Sequence, residues 1–450
     1  MKKPLYFIPF LVILITLSCQ QKAQRKLAEV QDNTFGLPIQ STYNVLFDEN
    51  DSISVGLKLV PTKGNHDMTV YIPINGSSTH GYLVVSHEVF TKDSILGDGG
   101  GATFFEVQKQ GENWNVIGQY KNIDFSPVKH TVYNCGGKLT PKGTILMAEE
   151  YFPQSNSAIS TLDTINNQYQ DFGWVVEVDP MTQKAVQKLK SLGRYKHEDI
   201  YPMPDRKTLY ITNDDDPSFL FKFIADTLDV YTKGKLYAFS ESDTVPWVLL
   251  PNDSLSLQNI GEVANQLKAT IFIRHEWMTV VNNVLYITET GKDEINWQKQ
   301  MKLGGQPASY FKLKKDSTFK DPYGRILALD LKTNKIKVLL EGMPEFANPD
   351  CITSLIIKGT PYLVVAEDII GKDKKRSNKK HWGNQLWLIN LTTLEKKVIM
   401  QAPKGSELTG IVFTPDRKTM FVNIQHPADK KENPIRVSST LAIQGIIEDN

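Results

Sequence analysis

The 450-residue chain carries 51 Lys and Arg against 50 Asp and Glu, a formal net charge of +1, which argues against nucleic acid or an anionic membrane surface as a partner. Forty per cent hydrophobic, 22% charged and 10% aromatic residues describe a soluble globular protein long enough for one large domain or two to three ordinary ones. Three cysteines exclude a scaffold built on disulfides.

At the N-terminus, Lys2-Lys3 precede an apolar stretch from Leu5 to Leu17, shorter than the roughly 20 residues a spanning helix needs. Leu17-Ser18-Cys19 resembles a bacterial lipobox, with Thr16 where Leu is usual. Residues 1–19 therefore read as a lipoprotein signal and Cys19 as the lipidated residue, giving a membrane-anchored protein on the periplasmic or outer-membrane side. An ordinary secretory peptide or an uncleaved anchor is the alternative. No twin-arginine pair precedes the apolar stretch, so export unfolded by the general secretory route is expected. Residues 20–32 are a polar tether, and 33–450 read as one domain. Cys135 and Cys351 remain for a disulfide or for two buried thiols.

Along the rest of the chain six short β-type runs each end in a polar or acidic cluster. They are Gly81–Val85 before His87-Glu88, Thr144–Ala148 before Glu149-Glu150, and Thr208–Thr212 before Asp214-Asp215-Asp216. Val284–Thr288 before Glu289, Tyr362–Ala366 before Glu367-Asp368, and Thr419–Ile424 before Gln425-His426 follow. Neighbouring ends lie about sixty to eighty residues apart, a repeat of strand-rich units. A second pattern interleaves, Gly followed by alternating apolar residues, at Gly173–Asp179, Gly234–Phe239, Gly324–Asp330 and Gly383–Asn390. Period-2 alternation bounded by Gly, Asp and Asn marks antiparallel hairpins. Helical patterns are confined to Gln258–Lys268 and Trp297–Leu303, read as loop insertions.

Six units of about four strands predict an all-β, six-bladed propeller. Too few residues follow Thr419 for a full final blade. Strands near Asn44–Phe47 and Ile53–Leu59 are therefore expected to complete it and close the ring. Two β-sandwich domains are the competing reading, but no Pro/Ser-rich linker divides the chain.

A third layer of repetition places a polar motif about 13 to 18 residues before most of the strand ends. The motifs are Asn134-Cys135-Gly136-Gly137, His197-Glu198, Arg274-His275-Glu276, Asn348-Pro349-Asp350 and Ser406-Glu407. In a propeller the loop entering each innermost strand opens on one mouth of the central channel, so Cys135, Glu198, Glu276, Asp350 and Glu407 should converge there. Carboxylates gathered without basic partners are tolerable only around cations. Oxygen-rich sites suit Ca²⁺, and a thiolate among them favours a transition metal. Arg274, the one fixed cation in these motifs, suits a phosphate or carboxylate. His197 and His275 alternate with the glutamates and should point away into packing. Gly97–Gly101 lacks the strand–turn–helix setting of a nucleotide loop, and the basic run 372–380 reads as a solvated loop.

Asn134–Glu150, Leu192–Glu198, Arg274–Trp277, Glu407–Gly410 and Phe421–Pro427 together resemble the hallmark segments of PhoX-type alkaline phosphatases, in order along most of the chain. The resemblance implies a six-bladed propeller whose channel holds calcium and a pair of ferric ions and hydrolyses small phosphate esters; the chain is expected to act as a monomer. By resemblance, Cys135, Glu198 and Glu276 are iron-site ligands, Arg274 holds the phosphate, and Arg274 and Glu276 carry the catalysis. Glu88, Glu149, Glu150, Asp214, Asp350 and Glu407 are candidates for calcium ligation or for supporting the ligands. The chain departs from the family pattern at Gly136, Lys142 and His275, where Ala, Trp and Pro are usual, and a Ca²⁺-dominated site is the alternative inventory. Two other functions fit the architecture: a non-catalytic propeller with structural ions that binds a ligand or protein, and a calcium-dependent lactonase or organophosphate hydrolase. Cys135 and Arg274 together favour the phosphatase.

Overall fold

The computed structural model describes residues 35–162, 167–369, 384–403, 405–427 and 434–447. Cys19, the tether at 20–32 and the basic run at 372–380 lie outside the described residues. No described helix is long and apolar enough to cross a membrane.

Six antiparallel sheets form the blades of a propeller. The first comprises His66–Pro73, His80–His87, Ala102–Gln110 and Asn113–Asn122, and the second Asn134–Leu139, Ile145–Glu149, Val175–Asp179 and Lys184–Lys188. The third has five strands rather than four: Ile200–Pro202, Thr208–Ile211, Phe221–Thr227, Val230–Phe239 and an edge strand at Trp247–Leu249. The fourth comprises His275–Val281, Val284–Glu289, Arg325–Asp330 and Lys335–Glu341. The fifth comprises Pro349–Ile357, Thr360–Glu367, Gln385–Asn390 and Lys396–Gln401. The innermost strand of each blade touches those of its two neighbours around the ring.

The sixth blade closes the circle. Glu407–Phe413, Thr419–Gln425 and Ser439–Gln444 come from the C-terminal end, and Thr42–Asp48 adds the outermost strand, pairing Thr42 with Gln444 and Asp48 with Ser439. The segment Ile53–Leu59, expected in the same blade, instead folds on itself as a separate hairpin, Ser52–Val55 against Lys58–Pro61. Gly56 at φ 61° supplies the left-handed turn residue that reverses it.

The second strand of a blade lies between neighbouring blades, and both its faces are covered. Continuous buried runs follow, at Leu83-Val84-Val85, Ile145–Ala148, Leu363–Ala366 and Met420-Phe421-Val422, all at 0% exposure. The helical insertions are Ser254–Gln258, capped by the Asp253 side chain, Ile260–Gln266, and Gln298–Leu303, ended by Gly304 at φ 118°. Cys135 and Cys351 are both buried and free, so no disulfide joins them.

Candidate active site

Period-2 alternation gives the repeated strand ends two kinds of residue. In the second, fourth and fifth blades the last residue of the second strand points into its own blade, and the next one turns to the channel mouth. In the sixth, Gln425 instead donates to Glu88 of the first blade at 2.8 Å. Glu149 is of the first kind. Its Oε1 accepts from Thr131 Oγ1 at 2.9 Å and Lys188 Nζ at 2.7 Å, and its Oε2 from the Gly173 and Trp174 N–H groups at 2.9 and 3.0 Å. Glu289 likewise binds Arg325, Tyr310 and the Ile273 N–H, and Glu367 accepts from the Ala347 and Gln385 N–H groups. These carboxylates hold the blade together. Glu149, expected with the metal-binding set, has its oxygens committed there, and Glu150 takes the channel position. Its equivalents around the ring are Glu88, Asp214, Thr290, Asp368 and His426.

A second tier comes from the entry to each innermost strand: Asp67, Cys135, Glu198, Glu276, Asp350 and Glu407. In four blades this residue sits in a β-bulge, between His66 and Thr69, Asn134 and Gly137, His275 and Met278, and Pro349 and Ile352. The extra residue turns the side chain inward. Two positions earlier the backbone is left-handed in five blades, at Asn65, Tyr133, Arg274, Asn348 and Gly405. The carbonyls of Asn65, Tyr133, Arg274 and Asn348 accept from the N–H groups of Glu88, Glu150, Thr290 and Asp368, which joins the two tiers.

Latches between blades fix the bulges. Ser86 Oγ donates to the Cys135 carbonyl at 3.1 Å, Thr212 Oγ1 to that of Glu276 at 2.6 Å, and Thr288 Oγ1 to that of Asp350. Asn423 Nδ2 donates to the Asp67 carbonyl, and the Cys135 thiol to that of Glu198 at 3.3 Å. Each latch crosses from one blade to the next. His197 and His275 point away, into contacts with the Gly193 carbonyl at 2.9 Å and the Phe272 ring at 4.3 Å.

Three groups of inward side chains bring ligand atoms within 4.8 Å of one another: Cys135, Glu150 and Glu198; Glu198, Glu276 and Asp350; Asp350, Asp368 and Glu407. Shared Glu198 and Asp350 make them one chain across five blades. Burial, then mutual repulsion, holds Asp67, Glu88, Glu198, Glu276, Asp350 and Glu407 well above the usual carboxylate range. Burial also pushes the Cys135 thiol up, with Glu198 the strongest of the charges opposing its ionisation. Asp67 Oδ1 is buried with no hydrogen-bond partner. A thiol, repelling carboxylates and an orphaned carboxylate oxygen fit a set of bound cations.

On one side of the mouth the charge is balanced by protein. Arg274 donates from Nε to Asp214 Oδ1 at 2.7 Å and from Nη2 to Oδ2 at 3.2 Å, with Glu276 Oε1 3.3 Å from Nη2. Lys196 Nζ lies 2.7 Å from Glu150 Oε1 and 3.1 Å from Asp214 Oδ2. Burial opposes the Asp214 charge, but Arg274 and Lys196 outweigh it and hold the carboxyl below its ordinary range. Glu276 is oriented by Thr290, whose Oγ1 donates to its Oε1 at 2.5 Å. Below the carboxylates, Lys138 Nζ pairs with Asp199 Oδ2 at 3.1 Å and lies 4.3 Å from the Trp277 ring centre.

The family model of alkaline phosphatase PhoX matches residues 111–428. The chain belongs to the PhoX alkaline phosphatase family. No curated protein matches. Among solved structures, Pseudomonas fluorescens PhoX in complex with vanadate, a transition state analogue, superposes with a TM-score of 0.72 at 20% identity, over 94% of this chain and 97% of that one. Trypanosoma rangeli sialidase with the inhibitor DANA aligns at TM-score 0.45 and 10% identity, over 91% of this chain and 60% of that one. Family membership makes the protein a metal-dependent phosphatase acting on small phosphorylated substrates.

Of the residues read from sequence, Cys135, Glu150, Glu198, Glu276, Asp350 and Glu407 fall in the three ligand groups of the channel, and Glu88, Asp214 and Arg274 line the same mouth. The sequence reading missed Asp67, Lys196, Thr290 and Asp368. Asp67 follows His66 as Glu198 follows His197, and Lys196-His197-Glu198 mirrors Arg274-His275-Glu276; both signals were present in the chain.

Proposed function

We propose that the channel is a phosphoester hydrolase centre in which Cys135, Glu150, Glu198 and Glu276 hold iron and Asp350, Asp368 and Glu407 hold calcium. The observation carrying this reading is the chain of three ligand groups that begins at the only thiol in the site and runs beside Arg274. Cations bound there would supply Lewis-acid charge to phosphoryl oxygens and would lower the pKa of a nucleophile. The protein's own share is positioning. Arg274, held through Nε and Nη2 by Asp214, turns the remaining donors of its planar guanidinium to a phosphate entering from the mouth. Thr290 and the Thr212 latch fix Glu276. The complex of Pseudomonas fluorescens PhoX with vanadate, a transition state analogue, supports the phosphoester hydrolase reading, since vanadate stands for a phosphoryl group in flight.

The test is metal content and p-nitrophenyl phosphate turnover of protein purified without chelator, repeated on Cys135→Ala and Arg274→Ala. Iron with calcium, lost iron in the first variant and lost turnover in both, is the expected result. Calcium alone with full turnover would remove the iron assignment.

The N-terminal reading completes the proposal: Cys19 anchors a monomeric enzyme to an extracytoplasmic membrane face. Cys19→Ala should move the protein from the membrane pellet to the soluble extract. An unchanged membrane fraction would sink the anchor.

A further inference from the structure

We propose that Lys196 is a second substrate-binding cation that contacts the phosphoryl group beside Arg274, an inference that rests on the phosphatase reading of the channel. Lys196 and Arg274 hold the same place in neighbouring blades, each two residues ahead of its channel glutamate. Both side chains reach the mouth, with 31% and 23% exposure. Asp214 stands between them. Its Oδ2 accepts from Lys196 Nζ at 3.1 Å and from Arg274 Nη2 at 3.2 Å. The two nitrogens are therefore no farther apart than these two hydrogen bonds laid end to end. A phosphoryl group has the charge to draw both cations and a spread of oxygens like that of a carboxylate, so one phosphate can accept from both. In this structure Asp214 bridges the two cations and fixes them side by side, each still partly exposed at the mouth.

Lys196 is also fixed on its other side. Its Nζ donates to the Asp214 carbonyl at 2.7 Å and pairs with Glu150 Oε1 at 2.7 Å. Glu150 belongs to the group with Cys135 and Glu198, so the ammonium borders the ligand set at which the phosphate is expected. The two cations divide the work by shape. The Arg274 fork fixes orientation, and the Lys196 point charge adds attraction with little directional demand. Attraction of that kind acts on the bound ester as well as on the transition state, so its loss falls on KM more than on kcat.

The competing role is neutralisation of Glu150 and Asp214 alone, and the experiment separates the two. Lys196→Met and Lys196→Arg are made in the full chain. Three quantities are measured: metal content, thermal stabilisation by inorganic phosphate, and p-nitrophenyl phosphate kinetics. Loss of one charge-assisted hydrogen bond should raise KM and weaken phosphate binding about tenfold in Lys196→Met, with kcat within about twofold and metal content unchanged. Lys196→Arg should recover most of the phosphate affinity. Wild-type phosphate affinity in a metal-replete Lys196→Met would overturn the proposal, as would metal loss in both variants with no change in phosphate binding. Wild-type protein that neither binds phosphate nor turns over ester would overturn the phosphatase reading beneath it, a result distinct from either.

Discussion

Thr212, just past the second strand of the third blade, donates from Oγ1 to the carbonyl oxygen of Glu276 in the fourth at 2.6 Å. Both residues are buried, and the same hydroxyl accepts from the Asp199 N–H at 3.1 Å. Valine would keep the shape of Thr212 and leave the Glu276 carbonyl without its donor, at a cost of about 1–3 kcal/mol. Thr212→Val should unfold at lower urea and retain less metal, because the glutamate's backbone is no longer fixed across the blade junction. Wild-type stability and metal content in this variant would remove the latch from the account.

The pH dependence of the metal-free protein follows from the sign of the carboxylate shifts. Six channel carboxylates are raised by burial and by one another, whereas in the unfolded chain they titrate near pH 4 (about 3.9 for Asp, about 4.3 for Glu). Between those values the folded state binds more protons, so stability falls as pH rises through the elevated folded pKa values. Lys63 and Lys222, lowered by burial to about 8, act in the opposite sense above that pH. So do the buried His66, His87 and His197, up to their unfolded value of about 6.5. The carboxylates prevail because they also repel one another. Chelated protein should melt lower at pH 9 than at pH 5, and added Ca²⁺ should restore more stability at pH 9. Higher stability of the chelated protein at pH 9 would contradict the repulsion argument.

Adjacent Glu149 and Glu150 should respond in opposite ways to the same change. Glu149→Gln strips the buried Lys188 of its partner and should cost about 3–5 kcal/mol of stability. Glu150→Gln removes a channel carboxylate and should lower metal content while leaving the metal-free melting temperature equal or higher. Urea unfolding and metal analysis on both variants check this, and exchanged phenotypes would refute the division into structural and channel-facing strand ends.

The propeller was legible in the chain because buried second strands read as short apolar runs at a regular interval, and because Asn44–Phe47 was needed to finish the last blade. The hairpin at Ser52–Pro61 was not, since alternation alone cannot say which edge a strand joins. Glu149 was grouped with Glu150 because sequence does not show at which residue a strand ends and its side chains change direction. Asp67 and Lys196 carried the repeated motif in plain form, but the first blade's motif lies farther from its strand end than the others do. Which cations neighbour Asp214 depends on contacts across blades, which no local pattern encodes.

Glu198 belongs to two of the three ligand groups, so metal content of Glu198→Gln against wild type, with p-nitrophenyl phosphate turnover on the same samples, tests the central claim most directly. The account predicts bound cations and chelator-sensitive turnover in the wild type. It also predicts that the single substitution removes more than one cation per chain and nearly all turnover. Full turnover by metal-free wild type, or a Glu198→Gln protein with unchanged metal and activity, would contradict it.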